Sequence, residues 1–281
     1  MAARFHVKPS GRFLQVNGSK LHVVVDGGGP PVLVCGGLAG NWFDWDAVTR
    51  ALEPDHTVIR FDRPGFGLSA PTGRPPTVRG EAERICAVLD AVGVVDPVLI
   101  VGHSMGGWYA EAFARLHGDR ASGLVLLDAS VEPPRQPALP SRWRYGLATA
   151  AAAVASRSGL QRLCAPTVHR LAHQSEPDAA TVPLMERIVT EPSYLRAVLL
   201  ENAAYTDLPA ELASIRGVGP LPDTLVVAAD QGLPWSPAWL RTQRRLAADL
   251  GARLEILRPA RHTAMIDRPA AVAALIAGMT V

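Results

Sequence analysis

Short runs of β-branched and leucine residues recur along the chain, and most stop at a glycine or an aspartate. They occupy residues 21–26, 32–35 (ahead of Gly36-Gly37), 57–61 (ahead of Asp62), 98–101 (ahead of Gly102), 124–127 (ahead of Asp128), 225–229 (ahead of Asp230) and 254–257. A run without polar alternation suits a strand buried on both faces. Helix-like stretches lie between them. Residues 78–92 place Ile85, Val88, Leu89 and Val92 at helical spacing, residues 108–117 stop before Gly118, and residues 237–250 and 268–278 come last. Strand–helix alternation of this kind predicts an α/β fold with a doubly wound, mostly parallel sheet.

The alternation breaks between residues 132 and 222. This segment is rich in Ala, Arg and Pro, opens with Pro133-Pro134 and offers no buried strand. It reads as several short helices. An insertion after the carboxyl end of a strand stands where open α/β sheets bind ligands, so the expectation is a helical cap. The core then comprises residues 1–131 and 223–281, and 281 residues suit one such domain with an insertion.

Composition narrows the function. With 48% hydrophobic and 19% charged residues the chain can bury a core, and its net charge of +2 lacks the footprint of a nucleic-acid binder. Cys35, Cys86 and Cys164 are odd in number and far apart, which fits a reducing, cytoplasmic setting. The N-terminal residues carry no apolar run behind their positive charges, so no signal peptide is read there. Residues 147–155 form the longest weakly apolar stretch, far short of the ~20 needed to cross a bilayer, and no membrane partner is expected.

One strand boundary carries chemistry. Gly102-His103-Ser104-Met105-Gly106 is a G-x-S-x-G motif directly after an apolar run and before a helix. A sharp strand-to-helix turn holds such a serine in a strained backbone conformation and lifts its hydroxyl to the top of the sheet. The helix start behind it points N–H groups at nearby negative charge. With this motif the chain resembles the α/β-hydrolase family over nearly its whole length. Asp62-Arg63-Pro64-Gly65-Phe66-Gly67-Leu68-Ser69 is similar to that family's D-x-P-G-x-G-x-S turn. Cys35-Gly36-Gly37 stands at the place of its His-Gly-x loop, with cysteine in place of histidine. Arg261-His262, followed by Asp267-Arg268-Pro269, resembles its histidine loop and final helix.

A serine hydroxyl needs an adjacent base to attack at neutral pH. Among eight histidines, His262 alone lies on a loop between the last strand and the last helix, in the order serine, acid, histidine. His117 reads as a helix cap. His103 points away from the hydroxyl if the turn forms as in the family. His169 and His173, four apart, read as one face of a solvated cap helix, since no glutamate or further ligand of a zinc motif accompanies them. No metal or organic cofactor is implied. The imidazole needs a carboxylate to fix its tautomer and stabilise its cation. Asp128 and Asp230 both close strands between Ser104 and His262. Many family members take the acid a few residues beyond the later strand, where this chain has Gly232. A minority take it from the earlier strand, as Leu127-Asp128-Ala129-Ser130 does by resemblance. Asp128 is therefore favoured, Asp230 is the alternative, and Glu132 is a remote third.

The resemblance further implies that the backbone amides of Gly37 and Met105 form an oxyanion hole, with Leu38 as the fallback donor. Leu38, Trp42 and Trp108 are expected at an apolar substrate pocket, and Cys35 as a small buried residue rather than a reactive thiol. Together these readings predict a serine hydrolase acting on an ester-type bond of a small-molecule substrate through an acyl-enzyme. Carbon–carbon bond hydrolysis, thioester hydrolysis and acyl transfer use the same site on this scaffold, and a non-catalytic binder of the same fold is the reading from another class. Serine at position 104 opposes haloalkane dehalogenase and epoxide hydrolase chemistry, because those relatives carry aspartate there.

Overall fold

The computed structural model describes residues 10–132, 139–164, 167 and 181–279. Each of the seven β-branched and leucine runs becomes a strand. The sheet contains β1 (Arg12–Val16), β2 (Ser19–Gly27), β3 (Pro31–Cys35), β4 (Thr57–Phe61), β5 (Val98–His103), β6 (Ala121–Leu127), β7 (Thr224–Ala229) and β8 (Arg253–Leu257). Their order is β1-β2-β4-β3-β5-β6-β7-β8. From β4 to β8 all neighbours run parallel. β2 is antiparallel to both β4 and β1. β1 is the strand the sequence hid: RFLQV buries only its last residue well, so it shows no apolar run.

Alternate residues of the central strands feed two cores, one on each face. Leu33, Ile59, Ile100, Leu126 and Val226 pack with α2 (Val78–Val92) and α3 (Gly106–Leu116) on one face. Val34, Val58, Val101, Leu127 and Val227 pack on the other with α1 (Asp46–Leu52) and the terminal helix Pro269–Ala277. Each such side chain contributes roughly 1.5–3 kcal/mol by leaving water. α2 begins at Thr77, whose hydroxyl accepts from the Gly80 amide at 3.0 Å, and ends at Gly93 in the left-handed region (φ 80°).

Between β6 and β7 the described residues form α4 (Ser141–Arg157), α5 (Val182–Thr190), α6 (Pro192–Ala204) and α7 (Leu208–Ile215). α4 and α6 pack together. α7 departs from the expectation of a segment lying wholly above the sheet. Leu208, Leu212 and Ile215 share one face and join the core beside α2 and α3. Glu211 on the same helix accepts the Val78 and Arg79 amides and so caps the positive end of α2. His169 and His173 lie outside the described residues. α8 (Ser236–Leu250) follows β7, and α9 (Ala264–Asp267) and α10 (Pro269–Ala277) follow β8. Among the described residues no helix is long and apolar enough to cross a membrane.

Candidate active site

Ser104 stands between β5 and α3 with φ 52°, a left-handed value that a non-glycine residue holds only under constraint. The constraint is visible at its neighbours. A Cβ on Gly102 would meet Gly107 Cα at 2.6 Å, and one on Gly106 would meet the Cys35 and Gly36 carbonyl oxygens at 2.5 Å. Only glycine allows β5, α3 and the end of β3 to converge here. The Ser104 amide donates to the Leu127 carbonyl at 3.1 Å, and the Ser104 carbonyl accepts from the Ser130 amide at 3.0 Å. The turn is thereby tied to the end of β6, which carries Asp128.

The His262 ring bridges the two. Its Nε2 accepts from the Ser104 hydroxyl at 3.0 Å, and its Nδ1 donates to Asp128 Oδ2 at 2.7 Å. A carboxylate partner requires that tautomer. The imidazole is half exposed, while Asp128 is buried. Asp128 Oδ1 accepts from the Trp239 indole at 2.7 Å and from the Ala229 amide at 2.9 Å. Those donors orient the carboxylate, and Asp128 itself sits at φ 43°. His103 does point away from the hydroxyl: its Nε2 donates to the His262 carbonyl at 2.9 Å and so holds the histidine loop.

Asp230 does something else. Its Oδ1 accepts from the Gly232 amide at 2.8 Å and its Oδ2 from the Arg258 guanidinium. The Gly232 amide, the Ser236 hydroxyl and Arg258 hold its carboxyl below the usual aspartate range. This is a turn-capping aspartate beside the β7 end. Trp239 was missed in the sequence because it lies on α8, far along the chain from the carboxylate it holds.

The loop after β3 lies against the serine. A Cβ on Gly37 would stand 2.9 Å from Ser104 Cβ. Arg63 grips this loop from behind: Nη1 donates to the Gly36 carbonyl and Nη2 to the Gly37 carbonyl, both at 2.7 Å. Burial pushes the Cys35 thiol up to about 12, so it is an inert packing group. Asp62 of the following turn is structural, accepting from the Trp42 and Leu68 amides at 3.1 Å and from His22 at 2.9 Å.

A family model of the alpha/beta hydrolase family matches residues 32–275. The chain belongs to the alpha/beta hydrolase family. Among curated proteins, a cis-3-alkyl-4-alkyloxetan-2-one decarboxylase from Shewanella oneidensis is 31% identical over 119 residues, 41% of this chain and 37% of that protein. A soluble epoxide hydrolase from a Corynebacterium species is 32% identical over 113 residues, 40% of this chain and 39% of that protein. The matched stretch thus spans less than two fifths of either relative. Among solved structures, Cfl2 from Burkholderia cenocepacia aligns with TM-score 0.75 and 23% identity over 95% of this chain and 94% of its own. The enol-lactonase from Burkholderia xenovorans LB400 aligns with TM-score 0.70 and 21% identity over 96% and 99%. Identities of this size establish a shared fold.

Above Ser104 lies a cavity of about 620 Å³. Its walls come from both parts of the chain. Leu38 comes from the loop after β3 and Met265 from α9, while Leu160, Val189, Leu195 and Val198 come from the inserted helices. Tyr194 and Tyr205 are also at the wall, with hydroxyls already donating to the Ala39 carbonyl (2.8 Å) and the Ser130 hydroxyl (3.0 Å). Leu38 is where the sequence placed it. Trp42 and Trp108 are not at the wall. Trp42 packs edge-on against His22 and Phe43, and Trp108 lies against Tyr205 from below. Both follow a turn at a helix start, and their large rings are drawn into the core instead. Among the described residues no group of three His, Cys, Asp or Glu side chains gathers as metal ligands.

Proposed function

We propose that this protein is a serine hydrolase that cleaves an ester-type bond of a small apolar substrate through an acyl-enzyme. The observation that carries the reading is the unbroken chain from the Ser104 hydroxyl through the His262 ring to the Asp128 carboxylate, at 3.0 and 2.7 Å. Ser104 Oγ attacks the ester carbonyl carbon while its proton passes to His262 Nε2. Asp128 holds the resulting imidazolium. Backbone amides of the loop at Gly37 and Leu38 and of Met105 receive the oxyanion, and each such donor supplies roughly 3 kcal/mol to the transition state. The carbonyl reforms, the C–O bond breaks, and His262 gives its proton to the leaving alkoxide. Water then attacks the acyl carbon, loses a proton to His262, and the acid leaves as Ser104 regains its hydrogen.

The apolar wall favours uncharged acyl or alkoxy chains. The inserted helices act as the cap that shapes this choice, and three free cysteines suit a cytoplasmic enzyme. Several relatives are named epoxide hydrolases, but a serine nucleophile in place of aspartate opposes that reaction here. The test is turnover of p-nitrophenyl esters of graded chain length. A strained dialkyl-oxetan-2-one and an enol lactone join the panel because relatives are named for them. Turnover, and a stable phosphonate adduct found by intact mass, will both vanish in Ser104→Ala, with kcat down at least ~10³-fold. Turnover that survives that substitution would sink the proposal.

A further inference from the structure

The described molecule contains a buried ion pair that the chemistry above does not use. Arg63 lies in the turn after β4 and Glu201 on α6, 138 positions apart, and both are almost fully buried. Arg63 Nε donates to Glu201 Oε1 at 2.9 Å and Nη2 to Oε2 at 3.0 Å, a two-point clasp. The same guanidinium makes the two 2.7 Å bonds to the Gly36 and Gly37 carbonyls. Glu201 Oε2 also accepts from the Ala39 amide at 3.4 Å. The pair therefore grips the loop beside Ser104 at three points, the Gly36 and Gly37 carbonyls and the Ala39 amide.

Peptide geometry gives this grip a direction. In a trans peptide the N–H points opposite the C=O. With the Gly36 and Gly37 carbonyls both turned to Arg63, the N–H groups of Gly37 and Leu38 point away from it. Gly37, Leu38, Ala39 and Gly40 line the cavity above Ser104, whereas Arg63 and Glu201 do not; they line a second, polar cavity of about 660 Å³ behind the loop. The loop is thus a thin wall, with the guanidinium on one side and the serine on the other. The Gly37 and Leu38 amides thus point away from the guanidinium, and both residues line the cavity above Ser104.

We infer that Arg63 and Glu201 are positioning residues that hold the oxyanion-binding amides toward Ser104, and that α6 sets that alignment through Glu201. This deepens the serine hydrolase reading and rests on it. The charge is essential to the device. A guanidinium offers donors in a rigid planar fork that can meet two carbonyls and a carboxylate together, while an ammonium cannot span them. Glu201 keeps the buried cation compensated; without it the cost of an unpaired charge would turn Arg63 toward the polar cavity and release both carbonyls. α6 also carries Leu195 and Val198 at the substrate cavity and Tyr194 on the Ala39 carbonyl. The helix that meets substrate is therefore the one that orients the amides.

Arg63→Lys and Glu201→Gln test this, with steady-state kinetics on the best p-nitrophenyl ester and melting followed by circular dichroism. A lost oxyanion donor costs about 10²–10³ in kcat, and a displaced pair should cost about 10–100-fold. The expected result is that loss in kcat for a folded variant, KM within about threefold of wild type, and slower phosphonate labelling of Ser104 by a similar factor. A purely structural pair would lower the melting temperature and leave kcat of the folded fraction intact, which would overturn the inference. A rise in KM with kcat unchanged would overturn it too, as a pocket effect. If both variants unfold at 10 °C, the pair is an element of the fold and the inference also falls. An inactive wild type that takes no phosphonate would defeat the serine hydrolase reading instead, so the two failures are distinguishable.

Discussion

Trp239 and the Ala229 amide both donate to one oxygen of Asp128 and leave the other for His262. Asp230, by contrast, spends its oxygens on Gly232 and Arg258. The two carboxylates should respond differently to amide replacement. Asp128→Asn will misorient the imidazole and lower kcat/KM about 10³–10⁴-fold, whereas Asp230→Asn will leave it within about threefold of wild type; ester hydrolysis at fixed pH reads both. The sequence favours Asp128 over Asp230, with Glu132 a remote third, and that preference rests on the family resemblance. Both aspartates close an apolar strand before His262, and what separates them is the company of residues distant in the chain. Ser104 and His262 were legible because their surroundings are local: glycines at a strand end, and a loop between the last strand and helix.

At the scale of elements, the turn around Ser104 works because three backbones meet where no side chain fits. Gly106→Ala would press a methyl carbon to 2.5 Å from two carbonyl oxygens of the β3 end. Backbone on both sides has little room to yield, so the expected cost is about 1–3 kcal/mol, read as an earlier urea midpoint, together with reduced turnover. The buried strands were readable as continuous apolar runs. β1 was not, because an edge strand exposed on most of its length has no such run. The inserted segment was readable as helical but not as divided. Leu208, Leu212 and Ile215 belong to the sheet's own cover, a fact set by packing against α2 and α3. The pocket tryptophans failed for a like reason: their sequence position put them near the site, and core packing turned their rings away.

At the scale of the whole molecule, the inserted helices are joined by polar contacts that acid will loosen. Asp207, at the start of α7, accepts from Arg144 and, at 2.7 Å, from the Tyr145 hydroxyl, both on α4. Burial alone would raise its pKa, but the bonds from Tyr145, Arg144 and Ser141 prevail and hold it below the ordinary 3.8. A carboxyl whose folded value is depressed stabilises fully above its unfolded value and loses that contribution as pH falls through the folded one. Urea midpoints should therefore drop below about pH 4, and Asp207→Asn should flatten part of that drop. The group is partly solvated, so its share is about 1 kcal/mol or less.

The backbone lacing between the serine turn and the end of β6 has a consequence for how the proposed triad can fail. Ser104 is laced by its own amide and carbonyl to Leu127 and Ser130, which flank Asp128, while the Asp128 amide donates to the Val227 carbonyl of β7. The imidazole arrives from a separate, half-exposed loop that His103 tethers at the His262 carbonyl. In the proposed triad, a change in that loop would therefore displace His262 alone, while Ser104 and Asp128 keep their register through β6.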